Sequence, residues 1–332
     1  MFVAVVLVTL GIGAAYLTNA FIASKADERP TAGTAADREL NVSDLLDEPH
    51  VVFRSTSLGP TYGFVAVAPL SLPDGPRGVT KTACDRVYSV AGTGICMSSD
   101  RGVVTTYQTH LLDEQLAVQR ELDTTGLPSR ARISPDGRLA ATTTFVTGHS
   151  YADTGFSTVT TVYDVATGEV LHDLEDFTIL RDGKSYRSPD INVWGVTFAP
   201  DSNTIYATMA SKGTTYLVEG DLQETTLRTL RKDIECPSVS PDGTRIAYKK
   251  RADVSGSLGW RLYVLDLTTR VDTALAEERS VDDQVEWLDD ERVIYGLPRD
   301  QSAETDVWVV PADGAGTARV FIPRAWSPAV VR

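Results

Sequence analysis

A repeated phrase constrains this chain more than any other feature. "RISPDGRLAATTT" runs from Arg132 to Thr144, and "SVSPDGTRIAYKK" runs from Ser238 to Lys250. A degraded copy, "VTFAPDSNTIYAT" (Val196 to Thr208), keeps Pro200 and Asp201. Another, "VEWLDDERVIY" (Val285 to Tyr295), keeps Asp289, Arg292 and Tyr295 in register with Asp242, Arg245 and Tyr248. The closing "AWSPAVVR" offers Ser327 and Pro328 once more. Markers at 135, 200, 241, 288 and 328 stand 65, 41, 47 and 40 residues apart. Each copy reads as a strand, a tight turn and a second strand. Pro135, Pro200 and Pro241 preset φ for the turn. Asp136, Asp201 and Asp242 bond back to the backbone, and Gly137 and Gly243 supply φ > 0. The stretches that follow carry small and β-branched residues suited to strands.

A second marker recurs with a similar spacing. An aromatic residue inside a short apolar strand appears as Phe64, Tyr107, Tyr163, Tyr216, Tyr263 and Trp308, at intervals of 43, 56, 53, 47 and 45 residues. Six units of this length, each with several strands, are the pattern of propeller blades. One such sheet cannot bury both faces alone, whereas a closed ring gives every unit two neighbours. The expected fold is therefore all-β, a six-bladed β-propeller over 49–332, with a β-sandwich or barrel as the alternative. Blades are expected near 49–82, 83–130, 131–190, 191–234, 235–281 and 282–325. The final "WSPAVV" overlaps with "HVVFRSTSLG" to close the ring.

Residues 1–24, "MFVAVVLVTLGIGAAYLTNAFIAS", carry no side-chain charge. About 20 apolar residues cross a bilayer core, so the run reads as a transmembrane anchor or signal peptide at the head of the propeller. No basic region precedes it, and Lys25, Arg29 and Arg38 follow. A basic leader upstream is therefore expected, and the orientation stays open. Residues 25–48 read as a flexible linker, in which "SDLLDE" forms at most a single turn. The formal net charge of −14 argues against a nucleic-acid partner and against electrostatic docking on anionic lipid.

Cys84 with Cys96 is the better disulfide pair among three cysteines, with buried free thiols as the alternative. If "GTG" (Gly92 to Gly94) is the hairpin turn, Cys96 faces about Ser89, and the bond requires the chain before Arg86 to double back. Cys236 reads as a small core residue. No CxxC or paired-His spacing suggests a metal, and no phosphate loop or dinucleotide fingerprint suggests a cofactor.

Gly148, His149, Ser150, Tyr151 and Ala152 fit a relaxed nucleophile-elbow pentapeptide. Their flanks read as strands, however, and an elbow needs a strand turning into a helix. No catalytic residue is assigned on that basis. The longer loop around them, with His149, Tyr151 and Phe156, is the candidate contact surface. His50, His110 and His172 read as surface or strand residues. The acidic group Asp282, Asp283, Glu286, Asp289, Asp290 and Glu291 reads as a solvated face, and Lys249, Lys250 and Arg251 as decoration of a strand edge.

Phrases of the form "WSPDG…IA(Y/F)…(L/I)YV(L/M)D" mark the TolB-like propeller family. "SVSPDGTRIAYKK…RLYVLDL" resembles one of its repeats, with the likeness best over 131–310 and weaker in the first two units. With its N-terminal apolar run, the chain resembles membrane-anchored TolB-like translocation proteins of actinobacteria. The resemblance implies an extracytoplasmic, non-catalytic and monomeric propeller that contacts a protein partner at the cell envelope. An enzyme of glycosidase or lyase type, or a small-ligand receptor using the central channel, is the alternative. An enzyme would gather titratable residues from several blades at one end of the axis; an interaction module would expose an aromatic patch on a rim.

Overall fold

The computed structural model describes residues 40–332 apart from 91, 103, 147–156 and 255. The strands form six sheets, and their innermost strands touch in a closed cycle. This is a six-bladed β-propeller.

Blade 1 pairs Ala325–Val331 with His50–Ser55, followed by Phe64–Pro69 and Gly78–Ala83. Blade 2 runs outward through Arg86–Val90, Thr93–Arg101, Thr105–Leu112 and Val118–Leu122. Blade 3 follows through Leu127–Ile133, Leu139–Val146, Ser157–Asp164 and Val170–Asp173. Blade 4 comprises Asn192–Phe198, Thr204–Ser211, Thr214–Asp221 and Thr226–Lys232. Blade 5 holds Glu235–Val239, Arg245–Val254, Ser257–Asp266 and Asp272–Ala274, and blade 6 holds Glu286–Trp287, Arg292–Pro298, Thr305–Pro311 and Arg319–Ile322. All six marker aromatics fall in the third strand of their blades.

The ring closes because blade 1 takes its innermost strand from the far end of the sequence, with Val51 opposite Val330 and Val52 opposite Ala329. Ser327 Oγ ties that strand to blade 2, donating to the Val87 carbonyl at 3.0 Å and accepting from the Val87 N–H at 3.2 Å. Ser327 and Pro328 thus lie within the closing strand expected of "WSPAVV". The core is divided in the same way as the ring. Each of six clusters of buried side chains lies between two adjacent blades, such as Phe53 with Ile294 and Phe321, or Ile95 with Ile133 and Tyr163. Apolar faces unsatisfied within one blade are therefore covered by the next.

The long 65-residue step also has a structural cause. Thr178–Arg181 and Lys184–Tyr186 form an extra hairpin, and the first of these strands pairs in parallel with the outer strand of blade 4. This covers an edge that would otherwise be open.

The repeated turns come together on one face. In blade 3, the Ser134 N–H donates to Leu139 O at 2.8 Å, Ser134 Oγ donates to Asp136 at 2.6 Å, and Gly137 adopts φ +73°. Blade 5 repeats this with Ser240, Asp242, Arg245 and Gly243, at φ +72°. Blade 4 puts Ser202 at φ +58°, and Asp201 Oδ1 accepts from the Asn203 and Thr204 N–H groups. Neighbouring turns interlock. Asp136 N donates to Ser202 Oγ at 3.4 Å, a β-carbon on Gly243 would lie 3.1 Å from Pro200, and Asp242 N donates to Asp290 at 3.0 Å.

Partial burial pushes these turn carboxyls up, but the hydrogen bonds they accept outweigh it. Asp136 falls to about 2, and Asp201, Asp242 and Asp289 are also lowered. A carboxyl whose folded pKa is below its unfolded value adds stability above the unfolded pKa and loses it as the pH falls through the folded one. The urea midpoint is therefore expected to fall between about pH 4 and about pH 2, with a shallower fall in Asp136→Asn. Coincident profiles for the two proteins would contradict this.

Gly296 shows how tightly the closure is packed. A β-carbon there would lie 2.2 Å from the Trp326 ring of the closing strand. Gly296→Ala is expected to cost about 1–3 kcal/mol through overpacking, read as a lower urea midpoint. An unchanged midpoint would show that Trp326 can move away freely.

Part of the segment read as linker is folded. Residues Val42–Leu46 form a short helix, α1, whose N-cap Asn41 accepts from the Ser43 N–H at 3.3 Å. Val42, Leu45 and Leu46 pack against the core between blades 1 and 2, because their i, i+3, i+4 spacing puts them on one side of the turn. The apolar run 1–24 lies outside the described residues. Among the described residues, no helix is long and apolar enough to cross a membrane.

Candidate functional site

The loop carrying His149, Tyr151 and Phe156 lies outside the described residues; its flanking strands, Leu139–Val146 and Ser157–Asp164, are neighbours in blade 3. The described residues converge at the axis instead. The innermost strand of blade 6 is only two residues long, and the segment leading into it, 282–285, reaches the innermost strands of other blades. Asp283, with its side chain 2% exposed, meets Arg86 of blade 2 at 3.0 Å and Arg130 of blade 3 at 3.7 Å. Glu286 meets Arg132 of blade 3 at 3.6 Å and accepts from Tyr88 Oη of blade 2 at 3.3 Å. Gln284 Nε2 donates to the carbonyls of Gly195, Val196 and Pro237, at 3.2, 3.2 and 2.8 Å. Trp287 Nε1 donates to Ser238 O at 2.8 Å. One short segment therefore binds blades 2, 3, 4 and 5.

The electrostatics follow from burial. Desolvation lowers Arg86 to about 10 despite the nearby Asp283, and raises the Glu286 carboxyl despite Arg132. The void bordered by Arg86, Arg130, Arg132, Asp283, Gln284 and Ser327 measures only about 10 Å³, room for one water. The geometry closes the axis with paired charges at this level.

These positions correct two sequence readings. The acidic run is not one solvated face, because Asp283 and Glu286 are buried in the axis while Asp282, Asp290 and Glu291 are exposed. Lys249 is not edge decoration either. It lies in the second strand of blade 5, is 5% exposed and pairs with Asp282. A readable signal existed for the plug: Arg130 and Arg132 alternate on an inner strand, so both side chains point the same way. The thiol of Cys236, buried and free, lies against Arg130. Cys84 and Cys96 are bonded to each other, with Cα atoms 5.5 Å apart. Val90 pairs with Thr93, so the hairpin reverses earlier than "GTG" suggested and Cys96 faces Val87; the chain at Asp85 doubles back with its N–H on Met97 O at 2.7 Å.

On the face of the interlocked turns lies a larger opening. A cleft of about 460 Å³ separates α1 from the Asp113–Leu116 turn of blade 2, and Asp47, Glu48, His50 and Arg332 also line it.

No family model and no curated protein sequence matches the chain. Among solved structures, TolB from Acinetobacter baumannii is similar over 86% of this chain, at 16% identity and a TM-score of 0.59. The chain spans 66% of the length of that TolB. A chain of a nidogen/laminin complex is similar over 85% of this chain and 98% of its own, at 11% identity and a TM-score of 0.58. An oligogalacturonate lyase solved with manganese is similar over 76% and 72%, at 10% identity and a TM-score of 0.50. At these identities the likeness is one of fold: a six-bladed propeller similar to that of TolB.

Proposed function

We propose that the chain is a non-catalytic interaction scaffold that binds a protein partner at the cell envelope through its propeller faces. The plugged axis carries this reading. The arginines and carboxylates that meet there are spent on one another across the blades, which leaves the surface as the place to bind. Propellers host many activities, so the fold alone does not decide. The likeness to TolB and to a propeller from a nidogen/laminin complex supports a role in protein recognition.

We place the propeller outside the cytoplasm as a monomer. It would be tethered by residues 1–24, or secreted if that segment is cleaved. The Cys84–Cys96 bond supports this location, because disulfides persist in oxidising compartments. In-cell cross-linking of the full-length protein followed by mass spectrometry tests the reading. One reproducible protein partner is expected; no partner in repeated experiments would overturn it.

One observation favours a second reading, an enzyme or small-ligand receptor at the axis. Three guanidiniums and two carboxylates from three blades are buried together there, with Arg86 and Glu286 shifted from their ordinary values. It requires the plug to open, and a ligand that protects Asp283 and Arg132 from hydrogen exchange at neighbouring amides would support it.

A further inference from the structure

We propose that the cleft between α1 and the Asp113–Leu116 turn is a docking surface for a Lys- or Arg-bearing segment of a partner protein. The inference rests on the scaffold reading and adds to it a face and a chemistry. In blades 2 to 6 the two innermost strands follow one another in the chain, and the turns of blades 3 to 6 interlock. In blade 1 the innermost pair, Ala325–Val331 and His50–Ser55, has no such turn between its strands. The cleft lies at that break in the ring, flanked by Val331 and Arg332 on one side and by Val90 and Thr93 on the other.

The cleft is acidic. Asp47, Glu48, Asp113 and Glu114 line it, and among its described lining residues Arg332 is the one Lys or Arg. That guanidinium already donates to the Leu288 carbonyl of blade 6. Asp113 is engaged as well, accepting from the Gln115 and Ala117 N–H groups at 3.0 and 2.8 Å. Asp47, Glu48 and Glu114 are exposed.

A second observation points to a donor as ligand. His50 lines the cleft yet is only 4% exposed. Its Nδ1 lies 2.7 Å from the Glu48 carbonyl, so that nitrogen carries the hydrogen and donates. Nε2 is left as an acceptor with no hydrogen bond to the protein, on a residue that lines the cleft. Burial lowers the His50 pKa, which keeps the ring neutral at pH 7. A neutral acceptor without a protein partner, in a cleft lined by carboxylates, suits an ammonium with three donors or a guanidinium with five. A cleft of about 460 Å³ takes a few side chains of an extended segment. Among the described residues, no three His, Cys, Asp or Glu side chains converge closely enough to hold a metal ion, which favours a peptide cation over a metal.

The test uses the full chain in nonionic detergent and a fluorescein-labelled Gly-Arg-Lys-Arg-Gly peptide, with Gly-Glu-Asp-Glu-Gly as the control. Fluorescence anisotropy should show saturable binding of the basic peptide alone, weakened by salt. Asp47→Lys with Glu48→Lys and Glu114→Lys should weaken it about tenfold or more. An equal charge change elsewhere, Glu169→Lys with Asp182→Lys and Glu278→Lys, should weaken it less than about twofold, the small effect of unspecific charge. The ¹⁵N shift of His50 Nε2 should move on binding. Equal weakening by both triples, a silent His50, or absence of saturable binding would overturn the inference. If the basic peptide fails while cross-linking still captures a partner through another face, the cleft proposal falls and the scaffold reading stands. If both fail, both fall.

Discussion

Asp283→Asn is expected to destabilise the propeller by about 3–5 kcal/mol, the cost of leaving buried charge without its partner. The substitution keeps shape and removes one charge. Arg86 and Arg130, with side chains 17% and 12% exposed, would then face each other across the axis without the carboxylate that now lies 3.0 and 3.7 Å from them. Water cannot rescue them easily, because the void beside them holds about one molecule. The pair's net worth is a different quantity, since desolvation offsets much of the attraction in any buried ion pair. Chemical denaturation in urea, with wild type and variant compared at equal m-value, reads the difference. A loss below about 1 kcal/mol would mean that the arginines are solvated after all, and that the axis is more open than its geometry indicates.

The second large effect concerns the seam between blades 1 and 2. Cys84 lies in the crossover from the outer strand of blade 1, and Cys96 lies in the second strand of blade 2. Both are buried in the core shared by these blades, which also contains Ala329 and Val331 of the closing strand. The bond closes a loop with a sequence separation of 12 residues. Removing it should cost about 3 kcal/mol, chiefly by freeing the unfolded chain. Wild type with dithiothreitol and Cys84→Ala with Cys96→Ala should therefore show similarly lowered urea midpoints, and reductant should leave the double variant unmoved. A wild-type midpoint that ignores reductant would mean that the bond adds no stability.

Different parts of the molecule were legible to different degrees. The turn phrases could be read because their chemistry is local: Ser134, Asp136 and Gly137 fix one another within four residues. The aromatic marker worked because each third strand places an aromatic residue in a short apolar run. The axis could not be read in the same way, because its bonds join residues 197, 198 and 153 positions apart. In sequence, Asp283 and Glu286 sit beside four exposed or half-exposed acids and take on their appearance. Helix α1 was legible as the single turn at "SDLLDE", but five residues are too few for periodicity to show that Val42, Leu45 and Leu46 pack on the core. The extra hairpin of blade 4 was visible only as an unexplained length.

The scaffold reading holds that the axis serves structure and the faces serve binding. The most direct measurement is the partner yield from in-cell cross-linking of the full-length chain carrying Arg132→Met with Glu286→Leu, set beside wild type at matched abundance. Replacing a buried pair by apolar groups of similar volume is often neutral for stability, so this variant should fold. The same partner at the same yield is the expected result. Loss of the partner from a folded, equally abundant variant would contradict the account and assign the function to the axis.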